Sequence, residues 1–233
     1  AALLSLLNAT SIETQVKAAQ AIKELAKDNT ETQNAIAKAG GIGPLLALLP
    51  SRSVHAQAES AGALGQLARH NTPNQDAIAE QGGIPPLLIL LNGGTVEVQA
   101  QSAFALMEIC RTNPNNQTLV ADNAGIGPLT VLMKHQTSAD VRSEAAGAVW
   151  VLADGHASNI TSIASAGGAC SCLHLAAPAL ALASPALLDC AGFACFACFA
   201  CFACFACFAC FACFACFACF ACFACFACFA CFA

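Results

Sequence analysis

The stretch Gly82-Gly83-Ile84-Pro85-Pro86-Leu87-Leu88 decides the fold, because a closely related stretch, Gly40-Gly41-Ile42-Gly43-Pro44-Leu45-Leu46, stands 42 residues earlier. The match continues without a gap, so that residues 40–81 align along their whole length with residues 82–123. Polar positions align as well as apolar ones: Arg69, Asn71, Asn74 and Gln75 match Arg111, Asn113, Asn116 and Gln117. A fixed period of this length is typical of repeat architectures, in which each unit buries its apolar face against its neighbours.

The repeat divides the chain of 233 residues into three parts. Residues 1–168 carry the units, which we place at 1–39 (partial), 40–81, 82–123 and 124–166. A fifth unit starts at Gly167-Gly168 and then loses the pattern. An irregular apolar linker follows at 169–192, and residues 193–233 repeat Phe-Ala-Cys without an error. Because residues 1–7 look like the middle of an element, we expect the first unit to be cut at its front.

Each unit is expected to contain two short helices and one longer helix. The first short helix starts with Asn71 or Thr72 as N-cap and Pro73 at the first helical position, where a missing N–H costs nothing. Gly82-Gly83 permits the sharp turn before a second, apolar and therefore buried helix from Pro86 to Leu91. The third helix runs roughly from Val96 to Arg111. In the preceding unit its buried stripe is predicted to be Val54, Ala58, Ala61, Leu64 and Ala68.

The Gly-Gly-Ile-Pro-Pro-Leu-Leu phrase at 82–88, the helix with Ser60-Ala61-Gly62-Ala63-Leu64, and the Asn74-Gln75 segment together resemble the armadillo repeat. The resemblance covers residues 1 to about 168 and recurs in four registers, and the Gly-Gly-Ile turn favours armadillo over HEAT repeats. It implies an all-α, right-handed α-solenoid, an armadillo-type superhelix, followed by a low-complexity apolar tail. It also implies that the third helices line a concave groove that holds extended peptides.

The karyopherin-alpha subfamily places a Trp and, four residues later, an Asn on each third helix. The matching pairs in this chain are Gln20 and Glu24, Gly62 and Gln66, Phe104 and Glu108, and Gly147 and Val151. None is Trp–Asn, and Trp150 is out of register by three residues. The chain therefore looks more like generic armadillo proteins of the catenin or vacuolar-adaptor type than like nuclear import adaptors.

Helical spacing extends these positions into a stripe of four residues on each third helix. The resulting candidates for the partner-binding groove are Glu13, Lys17, Glu24, His55, Glu59, Gln66, Glu97, Gln101, Phe104, Glu108, Asp140 and Glu144, together with Gln20, Gly62, Gly147 and Val151. With seven carboxylates and one lysine, the stripe predicts an acidic floor for a basic peptide, with Phe104 as the apolar anchor. Lys27, Arg69 and Arg111 add a basic rim that Asp154 interrupts. The alternative reading is a solvated helix face with cations that complement the helix dipoles.

Composition and motifs give no sign of catalysis. The net charge of −5 argues against a nucleic-acid binder. The Gly-Gly pairs recur as turns, the five histidines form no helical pair at metal spacing, and Cys110 is expected to be a buried structural thiol. Cys170, Cys172, His174 and Cys190 could be drawn as a metal site, but their spacing is irregular. We therefore predict no enzyme activity, no cofactor and no metal.

The Phe-Ala-Cys tail leaves three interpretations open. The first is a membrane segment: its 41 residues without a charge exceed the ~20 that span a bilayer, but they lack flanking Lys or Arg. The second is a metal or redox array, because every cysteine makes a Cys-x-x-Cys motif with the next, but on a helix these thiols spiral around the axis and form no single site. The third is that the tail is not a selected protein segment: a nine-base tandem DNA repeat encodes a perfect three-residue repeat, and translation past an exon boundary would account for the loss of the armadillo pattern just before it.

These observations predict a scaffold or adaptor that binds a protein or peptide partner in the groove of the repeats, and the acidic stripe favours a basic partner. The alternative is a membrane-tethered adaptor anchored by residues 193–233. Because residues 1–168 show no disulfide pattern, we expect a reducing compartment, the cytoplasm or the nucleus. No nucleic-acid partner is expected, and the sequence leaves the oligomeric state open.

Overall fold

The computed structural model describes residues 2–133 and 137–167, and these residues fold entirely into helices and their connections. The expected linker at 169–192, the tail at 193–233 and the cysteines within them lie outside the described residues. Twelve helices follow one another in the described ranges: α1 (Ala2–Leu7), α2 (Ile12–Ala26), α3 (Thr30–Lys38), α4 (Ile42–Leu48), α5 (Val54–Ala68), α6 (Thr72–Glu80), α7 (Ile84–Gly93), α8 (Val96–Cys110), α9 (Pro114–Asp122), α10 (Ile126–Leu132), α11 (Ala139–Ala153) and α12 (Ala157–Ser165).

The helices recur in the predicted order, which confirms the all-α solenoid. The third helices of the four units are α2, α5, α8 and α11, and each contains 15 residues. Each packs against the third helix of the next unit, and the second short helices pack beneath them. The core therefore runs the length of the stack, with fully buried leucines such as Leu45, Leu64, Leu87, Leu106 and Leu129.

Local sequence sets the helix ends. Ser11, Ser53, Thr95 and Ser138 cap the third helices, each accepting a hydrogen bond from the backbone amide three residues later. Of the two expected N-caps of α6, Asn71 is the residue that accepts the bond, from the amide of Asn74. Gly82 takes a φ of 76°, and a Cβ on Gly83 would lie 2.7 Å from Cγ2 of Ile78. The Gly-Gly pair thus supplies both the turn and the close approach of two helices.

Two burial predictions were wrong. Val54 is exposed, with a relative accessibility of 36%, because it is the first residue of α5 and precedes the packed part of the helix. The second short helix of the following unit, α7, was expected to be buried, but Ile89 is 69% exposed. Its neighbours Leu88 and Leu90 are buried, so only one side of α7 faces the core.

A network of buried amides joins successive units at the C-terminal ends of the third helices. Gln75 Nε2 lies 3.3 Å from the carbonyl oxygen of Ala68 in its own unit, and 2.9 and 3.2 Å from those of Glu108 and Arg111 in the next. Asn113 Nδ2 in turn donates to Gln75 Oε1 over 3.3 Å. These bonds satisfy carbonyl groups that a helix end otherwise leaves without a partner.

The same arrangement recurs one unit earlier. Gln33 Nε2 donates to the carbonyl oxygens of Ala26 and Gln66, and Asn71 Nδ2 donates to Gln33 Oε1. The aligned Asn and Gln residues of the sequence repeat are therefore structural, and they fix how far one third helix is displaced from the next. Among the described helices, none is long and apolar enough to cross a lipid bilayer.

Candidate functional site

The predicted groove residues occupy equivalent positions on the four third helices, at the second, sixth, ninth and thirteenth residue of each. Because the helices have equal length and stack side by side, these positions form four adjacent rows. Seven of the twelve candidates line one open cavity of about 650 Å³: Glu24, Gln66, Glu97, Gln101, Phe104, Asp140 and Glu144. The cavity touches all four third helices, so it is built by the stack and by no single unit.

The other five candidates lie elsewhere. Glu13 and Lys17 line a smaller cavity of about 310 Å³ beside Leu3 and Leu6 of α1. His55 is exposed on α5, outside both cavities. Glu59 and Glu108 also lie outside them, and each forms an ion pair.

These ion pairs make the floor of the groove less acidic than the sequence count suggests. Lys23 Nζ lies 2.7 Å from Glu59 Oε2, across the contact between α2 and α5. Glu108, only 2% exposed, accepts hydrogen bonds from Arg111 at 3.0 Å from Nε and 2.9 Å from a terminal guanidinium nitrogen. Two of the seven predicted carboxylates are thus neutralised within the protein.

The remaining acidity is concentrated between α8 and α11. Glu97, Asp140 and Glu144 line the cavity and form no ion pair within residues 2–133 and 137–167. Burial raises the pKa of the Glu144 carboxyl, and the neighbouring carboxylates of Glu108 and Asp140 raise it further. A carboxyl under this repulsion gains from a cation placed beside it.

The cavity also has an apolar floor, of which the sequence stripe included only Phe104. Val96 and Ala100 line it with Phe104, and the three residues follow one another at intervals of four along α8. That spacing puts them on one face, so the signal was available in the sequence. Lys23, Lys27 and Ser143 complete the lining and were not among the candidates. Gln66 Oε1, in the same lining, is buried and accepts no hydrogen bond from the described residues.

The predicted rim residues are the C-caps of the third helices: Lys27, Arg69, Arg111 and Asp154. Arg69 lies 3.2 Å from Asp28, and Arg111 holds Glu108. The first three caps are cations near the negative end of a helix dipole, which accounts for them structurally. Asp154 is the exception.

Cysteine and metal chemistry have little support in the described part of the chain. Cys110 is 1% exposed, as predicted, and burial raises the pKa of its thiol, which disfavours the nucleophilic thiolate. Residues 2–133 and 137–167 contain no group of three side chains that could hold a metal ion. The metal site drawn from Cys170, Cys172, His174 and Cys190 lies outside the described residues.

Comparison with known proteins agrees with this architecture. The family model of the armadillo/beta-catenin-like repeat matches residues 29–69 and 71–111. An engineered protein, a Northeast Structural Genomics Consortium target, is 33% identical with a TM-score of 0.71, over 75% of this chain and 70% of that one.

Two designed armadillo repeat proteins share the fold. One is 22% identical with a TM-score of 0.70, over 75% of this chain and 73% of its own. The other, in complex with peptide (KR)4, is 24% identical with a TM-score of 0.69, over 79% of this chain and 75% of its own. No curated protein sequence matches the chain. The repeat match, together with the engineered relative, shows that the chain belongs to the armadillo repeat family.

Proposed function

We propose that the chain is a non-catalytic scaffold that binds a basic, extended segment of a protein or peptide partner along its third helices. The observation that carries the proposal is the cavity of about 650 Å³, in which Glu97, Asp140 and Glu144 have no cationic partner among the described residues. Whether the chain belongs to the catenin or vacuolar-adaptor type stays a prediction.

Charge favours a cationic ligand over a neutral one. Glu59 and Glu108 form ion pairs with Lys23 and Arg111, so carboxylates in this region do pair with cations that lie near them. The carboxylates between α8 and α11 have none in the described chain, and Glu144 among them is partly buried. A lysine or arginine from a partner would relieve their mutual repulsion, and such complementary charges increase association rate and specificity.

The apolar floor supplies contact area for such a ligand. Lys and Arg side chains carry long aliphatic stems, which pack on apolar surface while their charged ends remain at polar groups. Val96, Ala100 and Phe104 offer that surface beside the three carboxylates. Phe104 is of a residue type that is enriched in the cores of protein interfaces.

An extended partner would also bring backbone groups. Gln66 Oε1 is a buried acceptor without a hydrogen bond from the described residues, and such a group costs roughly 1–3 kcal/mol when it is left unsatisfied. A backbone N–H of the partner could donate to it after a small rotation of the side chain. One structural neighbour is itself in complex with the basic peptide (KR)4, which supports the proposal and suggests the probe.

The test is a titration of labelled (KR)4 into the full chain, kept reduced because it contains 17 cysteines. The double variant Glu97→Lys/Asp140→Lys places like charges opposite the peptide and should weaken binding by about tenfold or more. Glu31→Lys/Glu80→Lys makes the same change in net charge at exposed residues of the first short helices α3 and α6. It should retain the affinity of the unmodified chain within about twofold. Equal losses of (KR)4 affinity in the two variants would show that only the net charge of the chain matters, and would reject the groove as the binding site.

A further inference from the structure

Trp150 is the only tryptophan of the chain, and it lies 58% exposed on α11. An exposed indole offers a ligand a large, rigid apolar face and one N–H donor. The inference drawn from it rests on the proposed function, because it names a subsite for the same basic partner.

The equivalent residues of the other third helices show where this position faces. They are Lys23 on α2, Gly65 on α5 and Met107 on α8, each the twelfth residue of its helix. Lys23 lines the groove cavity and pairs with Glu59 of the next unit. A Cβ on Gly65 would lie 2.6 Å from the Phe104 ring, and one on Gly147 would lie 2.6 Å from Met107 Sδ. The position therefore borders the groove on the side of the following unit.

The fourth unit differs from the other three at the next turn as well. The residue four positions further along is Lys27, Arg69 or Arg111 in the first three units and Asp154 in the fourth. Asp154 is exposed and makes no ion pair within the described chain. Residues four apart on a helix lie on the same face, so Trp150 and Asp154 form an exposed pair of an aromatic ring and a carboxylate.

We infer that Trp150 and Asp154 form a subsite for an arginine side chain of the bound partner, beside the C-terminal part of α11, the last third helix that the structure describes. A planar guanidinium stacks on an indole face while its N–H groups donate to a carboxylate, and arginine does both better than lysine. Asp140 and Glu144 line the groove cavity nearer the start of α11, and Trp150 borders the groove toward the end of that helix, so one extended partner can contact both.

Trp150 itself reports on the subsite, because the chain contains no other tryptophan and no tyrosine. In the free chain its emission should be that of an exposed indole and should be quenched by acrylamide. Addition of (KR)4 should shield it. If the emission of the free chain is already shielded, another helix or a second copy covers Trp150, and the inference is rejected.

Variants then test the energetics. Trp150→Ala should weaken (KR)4 binding about two- to five-fold, the value of a cation–π contact at an exposed site. Trp150→Phe should recover part of this loss, and Asp154→Lys, which restores the cation of the other units, should weaken binding at least as much as Trp150→Ala. The matched control is Ile89→Ala, another exposed apolar residue, on α7, which should leave the affinity unchanged.

Three results would contradict the inference in different ways. If (KR)4 binds the unmodified chain and Trp150→Ala equally and the emission stays constant, the subsite is rejected while the proposed function stands. If (KR)4 does not bind the unmodified chain, both are rejected. If octalysine loses as much affinity as (KR)4 on Trp150→Ala, the preference for arginine is rejected.

Discussion

Two polar regions of this solenoid repeat with the same period but differ in how well their polar groups are satisfied. In the amide network at the ends of the third helices, Gln33 and Gln75 are buried, and each bonds to its own unit and the next. In the groove between α8 and α11, Glu97 and Asp140 are exposed and have no ion-pair partner in the described ranges. Recurrence alone therefore does not separate a structural polar residue from one available to a ligand.

The difference has a physical cause. A buried amide costs free energy unless its donors and acceptors are paired, so those positions must be satisfied within the protein. A carboxylate on a concave surface is hydrated when no partner is bound, so it remains unpaired at little cost in free energy. Removing a residue from the first region should therefore reduce stability, and removing one from the second should reduce binding.

The largest expected effect is on stability, from Gln75→Ala. This change removes the donor of the buried Glu108 carbonyl group and one of the two donors of the Arg111 carbonyl group, and we expect the free energy of unfolding to fall by about 2–3 kcal/mol. The side-chain amide of Gln117 donates only to the carbonyl oxygen of Cys110 in the described residues. Gln117→Ala should therefore lower the free energy of unfolding by about 1 kcal/mol. Urea unfolding measures both, with the exposed Gln81→Ala as the control. Equal values for Gln75 and Gln117 would contradict a network that joins units.

The next effect separates paired from unpaired carboxylates. Glu108→Gln removes the partner of Arg111 at a buried position and should cost about 1–2 kcal/mol, reduced from the fully buried value because Arg111 is partly exposed. Glu97→Gln should leave the stability unchanged and weaken (KR)4 binding. Thermal unfolding and a peptide titration of the two variants test whether Glu108 contributes to stability and Glu97 to peptide binding. A stability loss for Glu97→Gln, or a binding loss confined to Glu108→Gln, would contradict it.

The smallest effect concerns pH. Because the pKa of Glu144 is raised in the folded chain, the folded state holds a proton that the unfolded state has released. Stability should therefore fall as pH rises from about 4.3, the ordinary glutamate value, through the raised pKa. (KR)4 affinity should rise over the same window, because the ionised carboxylate attracts the peptide. Urea unfolding and peptide titration at several pH values should show both trends in the unmodified chain. Glu144→Gln should weaken both, and identical profiles for the variant would rule out this origin.

The fold could be predicted almost completely from the sequence, because its determinants are local and repeated. The Gly82-Gly83 turn, the Asn71 cap and the helix from Val96 recur at fixed spacing, and each has a direct backbone consequence. The Gly-Gly turn forms even where one copy lacks the first glycine: Ala124 occupies the position of Gly82 and adopts a φ of 57°. Neighbouring units impose that conformation, although it is unfavourable for alanine.

The site could be predicted only in part, because charge pairing depends on distances between units. The register of Glu97, Asp140 and Glu144 followed from helical spacing alone. The pairing of Lys23 with Glu59 did not, since the two residues are on different helices and meet only when the units stack. Nor could the sequence indicate that the ring of Phe104 lies in the space left by Gly65, because these residues are on different helices.

The most direct test of peptide binding between α8 and α11 is to locate a bound basic peptide on the surface of the protein. A (KR)4 peptide with a photoreactive group would be cross-linked to the full chain under reducing conditions, and the modified residues would be identified by mass spectrometry. We expect cross-links within 96–104 on α8 and 140–144 on α11, and their loss in Glu97→Lys/Asp140→Lys. Cross-links concentrated on the short helices α3, α6 and α9, or unaffected by the double variant, would contradict it.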